Sequence, residues 1–186
     1  MTGGSHVATG VATAAVAYDT YLLMSHMPEE SVFFKVAEKS VEFLTTTSWP
    51  LFVYMPICLV LFLLGLLLPD IDSPYSALGR IFYIPFKHRT WTHCWIPLFL
   101  CAIGSIWYRM LFWLGMGIFT HMFWDSFSAS GVMWFYPLKT KHYCKLYHTS
   151  SPSEYVVMTI AVMISIIYTV FAFQHTYHFL HVIFQW

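Results

Sequence analysis

Residues 49–69, WPLFVYMPICLVLFLLGLLLP, run for 21 positions without a charged side chain. As a helix rising 1.5 Å per residue, that run is about 31 Å long, which matches the hydrocarbon core of a bilayer. Residues 155–174, YVVMTIAVMISIIYTVFAFQ, have the same character. Only 10% of the 186 residues are charged and 58% are hydrophobic, whereas a water-soluble domain carries about 25% charged residues. Such a chain cannot cover itself with polar surface, so an integral membrane protein is expected. Basic and acidic residues balance, which leaves no basic footprint for nucleic acid.

The remaining segments fill in a bundle. Residues 94–128 would be about 52 Å as one helix, too long for a single crossing. Arg109 interrupts them, so a hairpin of two short helices, about 94–108 and 111–127, is expected. Residues 6–24 are rich in Gly, Ala and Thr, which permit close helix packing inside a bundle. Residues 27–48 carry Glu29, Glu30, Lys35, Glu38, Lys39 and Glu42 and read as an amphipathic insert outside the membrane. The predicted fold is all-α: one domain over 1–186, a polytopic membrane bundle of about five embedded helices, with 129–154 as a cytoplasmic loop. Six of the nine Lys and Arg residues fall in 70–92 and 129–154, which orients those loops to the cytoplasm. The N-terminus lacks the basic stretch of a cleaved signal peptide. Cys58, Cys94, Cys101 and Cys144 have no CxxC spacing and read as small apolar residues.

On that topology the chemistry gathers at one membrane face. His6 opens the first helix. Asp70 and Asp72 leave the 49–69 span. His88 and His93 lead into the hairpin, His121 and Asp125 close it, and Glu154 opens the last span. His121 and Asp125 are i and i+4, so they share a helix face. Asp70 and Asp72 share a side if 69–74 is extended, as Pro69 and Pro74 encourage. Carboxylates this dense beside a low-dielectric boundary are costly without a cation. Mixed imidazole and carboxylate donors suit Zn²⁺, Mn²⁺ or Fe, and the number of candidates allows a dinuclear centre. The predicted metal ligands are His6, Asp70, Asp72, His93, His121, Asp125 and Glu154. His88 is the candidate proton shuttle, with Arg80 and Arg89 the candidates for holding an anionic substrate. His175, His178 and His181 lie at the opposite face and read as interfacial anchors.

Four stretches in order carry a resemblance: Gly4-Ser5-His6 with Gly10, LLPDIDSPYSALGR, HRTWTHCW and GIFTHMFWDSFSASGVMWFYPL. Together they resemble the YdjM family over roughly residues 3–173. Its members are bacterial inner-membrane proteins described as predicted metal-dependent hydrolases, some regulated by the LexA repressor. The resemblance carries the family pattern to His6, Asp70, Asp72, Arg80, His88, His93, His121 and Asp125. Trp-Thr-His-Cys departs from the more usual Gly-containing, Ser-following form, and the 27–48 insert is individual to this chain. A looser analogy runs to zinc-dependent phospholipase C, an all-helical enzyme that uses Asp, His and an HxxxD helix in that order.

The expected function is a membrane-bound metal-dependent hydrolase, multi-pass in the bacterial inner membrane with its site facing the cytoplasm. It would act on an ester in the bilayer, a phospholipid or other lipid phosphate first. A metal-ion transporter and a metal-stabilised scaffold without activity remain open alternatives, and the sequence leaves the oligomeric state undetermined.

Overall fold

A computed structural model describes residues 1–45, 47, 49–82, 84–85 and 87–184 of the chain, with side chains at 44–45 and 177–184 left undescribed. Six helices follow in order: α1 (Gly3–Ser25), α2 (Val32–Thr45), α3 (Leu51–Leu67), α4 (Trp95–Trp107), α5 (Leu111–Ser126) and α6 (Pro152–Phe184). Among the described residues there is no strand, only the isolated bridges Ser128–Tyr147 and Val132–His142. The all-α expectation holds.

Three segments are long and apolar enough to cross a membrane: Gly3–Ser25, Leu51–Asp72 and Pro152–Thr176. α4 and α5 are shorter, and the chain turns between them at 108–110, where Arg109 had marked the break. The expected count of about five is therefore three helices of spanning length plus a short hairpin. The 27–48 insert holds α2, which buries Ala37 and exposes Val32, Phe33, Val36 and Phe43. α2 touches the tip of the hairpin, where the Arg109 guanidinium sits 5.4 Å from the Phe43 ring centre.

Two seams hold the bundle. α3 and α5 cross backbone to backbone, because Gly65 and Gly117 face each other without side chains between them. α1 and α6 are joined by polar groups: Ser165 donates to the Ala12 carbonyl at 3.1 Å, Thr20 pairs with the Tyr168 hydroxyl at 3.1 Å, and Thr169 donates to the buried Asp19 at 2.5 Å. Inside an apolar medium such groups must find partners within the protein. Asp19 did not stand out in the sequence, and the seam explains why a carboxylate survives there.

The loop after α5 is a cover rather than a free connection. Val132 and His142 exchange backbone hydrogen bonds of 3.0 and 2.9 Å, and Ala129 donates to the Tyr147 carbonyl at 2.8 Å. Val132 then packs with Ile118 and Met122 in the core beside Leu68, Leu98 and Leu114. This arrangement brings the start of α1, the end of α3, the start of α4, the end of α5 and the start of α6 to one end of the bundle.

Candidate metal centre

α3 does not run on into an extended segment. Residues Leu68–Asp72 form a 3-10 turn with Pro69 at its start. A 3-10 turn rotates about 120° per residue, so positions i and i+2 point in different directions. The expectation that Asp70 and Asp72 share a side is thereby corrected. Asp70 faces the imidazoles of His93 and His121, whereas Asp72 turns toward the 88–92 loop.

Asp72 is saturated there. Its Oδ1 accepts from His88 Nδ1 at 2.6 Å, and its Oδ2 accepts from the Thr92 hydroxyl at 2.6 Å and the Arg89 backbone amide at 3.2 Å. The hydrogen bond to Asp72 raises the His88 pKa above its ordinary value, with partial burial opposing. Asp72 thus clasps the loop that carries His88 and Arg89, and it stands behind His93 at 3.8 Å from Nδ1.

The two imidazoles at the centre have their tautomers fixed. His121 Nδ1 lies 2.7 Å from the Leu66 carbonyl, which can only accept, so Nδ1 carries the proton. The Thr92 hydroxyl gives its proton to Asp72 and so accepts from His93 Nδ1 at 3.0 Å. In its neutral form each ring then presents a bare lone pair at Nε2, and the two Nε2 atoms face each other at 3.2 Å. Two lone pairs at that distance repel unless something positive lies between them.

Two carboxylates complete the set. Asp70 Oδ1 lies 3.6 Å from His93 Nε2 and 3.7 Å from His121 Nε2. Asp125 Oδ2 lies 3.8 Å from each. Four donors around a tetrahedral zinc at about 2.1 Å stand about 3.4 Å apart, so the set is close to the size a metal requires. His93, His121 and Asp125 are buried, and Asp70 alone keeps partial exposure.

His6 adds a second cluster. It is fully buried, stacks on His121 with ring centres 3.6 Å apart, and lies 3.3 Å from Asp125 Oδ1 through Nε2. Neither of its ring nitrogens makes a hydrogen bond. A buried imidazole without hydrogen bonds is costly, and a cation would satisfy it. Donor atoms of His6, His121 and Asp125 lie within 4.8 Å of one another, as do those of Asp70, His88 and His93. The chemistry of these donors fits a metal ion, and either group could hold one.

The other predicted site residues divide. Arg89 is drawn in: Nη2 pairs with Asp125 Oδ2 at 3.0 Å, and Nη1 donates to Ser128 Oγ and the Gly131 carbonyl, each at 3.1 Å. The Met1 amino group also meets Asp125 Oδ1, at 2.6 Å. Glu154 is fully buried, but its oxygens accept the Thr2 amide at 2.6 Å and the Ser150 amide at 2.7 Å. It ties the N-terminus to the start of α6. Arg80 is exposed and lines a separate cavity with Gly3, Gly4, Val7 and Tyr75. His175 packs at 6.3 Å against Phe171, while the side chains of His178 and His181 lie outside the described residues.

The family model described as YdjM inner membrane protein matches the chain over residues 1–184. The chain belongs to the YdjM family. No curated protein and no solved structure matches it. In this YdjM chain the roles of Thr92 and the Leu66 carbonyl were not legible from residue types, because a hydroxyl and a carbonyl carry no metal signature. The sequence signal available was adjacency: Thr92 precedes His93, and Leu66 lies four residues before Asp70. Replacing Thr92 with valine should keep the shape and remove the acceptor for His93 Nδ1. Zinc affinity, measured by chelator competition, is expected to fall about 10–100-fold; unchanged affinity would show that His93 does not bind metal.

Proposed function

We propose that this YdjM-family protein is a membrane-embedded, metal-dependent phosphoester hydrolase that acts on a lipid head group at the cytoplasmic face. The observation that carries the reading is the facing pair of His93 and His121 Nε2 lone pairs at 3.2 Å, flanked by the Asp70 and Asp125 carboxylates. In this reading α4 and α5 form a re-entrant hairpin, giving five membrane-embedded helices with α2 outside. Zinc is the metal the donor set favours, with manganese or iron as substitutes.

A divalent metal would supply Lewis acidity, polarising the phosphoryl group and making water a stronger nucleophile. The chain does the rest. Asp70, the one partly exposed donor, is the group open to solvent, and the proton shed by the attacking water leaves through it. Arg89 sits beside Asp125 and offers its guanidinium to the negative charge that builds on the phosphoryl oxygens. The phosphorus–alkoxide bond breaks as the new phosphorus–oxygen bond forms. His88, held by Asp72 at the mouth of a cavity, gives the departing alkoxide its proton. Ser128 is no nucleophile, since its hydroxyl donates to the Asp125 carbonyl at 2.7 Å and accepts from Arg89.

The test is phosphate release from a panel of lipid phosphates by the purified, metal-loaded chain in detergent. Wild type should turn over at least one of them. His88→Gln should lose about 10²–10⁴-fold in kcat, while Arg80→Gln should stay within about twofold, as an exposed surface charge would. A second reading, a metal-stabilised scaffold, is favoured by the four donors, which suffice to close a tetrahedral shell. Stoichiometric metal without cleavage of any ester would select it.

A further inference from the structure

A cavity of about 500 Å³ opens beside the metal centre, with His88 and Arg89 on its wall. One wall carries Lys87, His88 and Arg89; the other carries Lys139 and Lys141. No acidic residue lines it among those described. Arg89, paired with Asp125, serves the metal-centre end of the cavity and the first phosphoryl group. The ammonium groups of Lys87, Lys139 and Lys141 pair with no carboxylate among the described residues.

The cavity is built, not incidental. Its two walls are tied by the Arg89 hydrogen bond to the Gly131 carbonyl at 3.1 Å. Trp91 and Tyr136 close them edge to face, with ring centres 5.1 Å apart. The segment presenting Lys139 and Lys141 is pinned by the paired backbone bonds of Val132 and His142. Arg89 itself is held with a positive φ of 64°, uncommon for a residue with a side chain. Like charges gathered on a fixed frame repel, and that repulsion becomes attraction when a polyanion enters.

We propose that this cavity binds a second anionic group, so that the substrate is a diphosphate or an equally polyanionic head group rather than a single phosphate. The use of the cavity in turnover rests on the hydrolase reading; the binding does not. One phosphate at the metal centre would leave three lysines facing empty water. A second phosphate, next to the first, reaches them past His88. It is then the leaving group, taking from His88 the proton that an alkoxide would take from it in a simple phosphoester.

The experiment is calorimetric titration of the full, detergent-solubilised chain, stripped of metal, with inorganic pyrophosphate and with inorganic phosphate. Pyrophosphate should bind about tenfold tighter or more, and Lys139→Gln/Lys141→Gln should lose about tenfold in pyrophosphate affinity. Lys145 is the control: it stacks over Tyr143 at 5.1 Å and does not line the cavity. Lys145→Gln should change nothing. Equal affinity for the two anions, or an equal loss in Lys145→Gln, overturns the proposal and points to general surface charge. An alkyl diphosphate carried in phosphatidylcholine vesicles is titrated in parallel. Tighter binding than free pyrophosphate assigns the ligand to the membrane, and equal binding assigns it to solution; both uphold the cavity. Failure of the hydrolase reading is seen separately, as lipid phosphates left intact by metal-loaded protein.

Discussion

Replacing His121 with alanine is expected to abolish transition-metal binding by the purified protein. Loss of an outer partner such as the Leu66 carbonyl would already cost about 10–100-fold in affinity, and loss of the ligand itself costs more. His121 is the hub of the site: it stacks on His6, faces His93 Nε2 at 3.2 Å, and lies within 4 Å of Asp70 and Asp125. Elemental analysis of wild type should find one or two equivalents of metal per chain, and His121→Ala should fall to background. Circular dichroism on the same samples guards against simple unfolding. His6→Ala separates the clusters: one remaining equivalent means that His6 serves a second ion. Wild type without stoichiometric transition metal would end the metal reading altogether.

The second large effect lies in the seam of α3 and α5. A Cβ on Gly117 would run into the Phe62 carbonyl and stand 2.8 Å from the Gly65 Cα. Backbone cannot step aside as a flexible side chain can. Gly117→Val should therefore push the helices apart, at a cost of about 1–3 kcal/mol or more. The hydrogen bond from His121 Nδ1 to the Leu66 carbonyl crosses this same seam. Thermal stability and zinc affinity should fall together. Gly4→Ala is the control, because its Cβ would meet nothing within 4 Å. A Gly117→Val protein that melts lower yet binds zinc normally would show that the seam does not position His121.

Hydropathy and helical period made the bundle readable. The two apolar runs became α3 and α6, and Arg109 marked the hairpin turn because a charge has no place inside such a run. The His121–Asp125 pair was readable because i, i+4 spacing on a helix is geometry in itself. The directions of Asp70 and Asp72 were not, since two prolines admit either an extended segment or a 3-10 turn. Glu154 looked like a ligand by residue type, but its fate depended on where residues 2 and 150 would lie. Arg80 and Arg89 looked equivalent in sequence; only tertiary contacts put one on Asp125 and left the other at the surface. Pattern fixes periodic elements, whereas partners distant along the chain decide what each polar side chain does.

The donors around the centre come from opposite ends of the first two thirds of the chain: His6 from α1, Asp70 from the end of α3, His93 from before α4, and His121 and Asp125 from α5. Metal held by these donors would be a cross-link. Like a disulfide closing a long loop, it would remove conformational freedom from the unfolded chain and tie metal loading to folding. α6 lies outside that loop and joins it through Glu154 and the α1 seam. Chelation should consequently loosen α1 through α5 as a unit, a behaviour that proteolysis before and after metal removal would display.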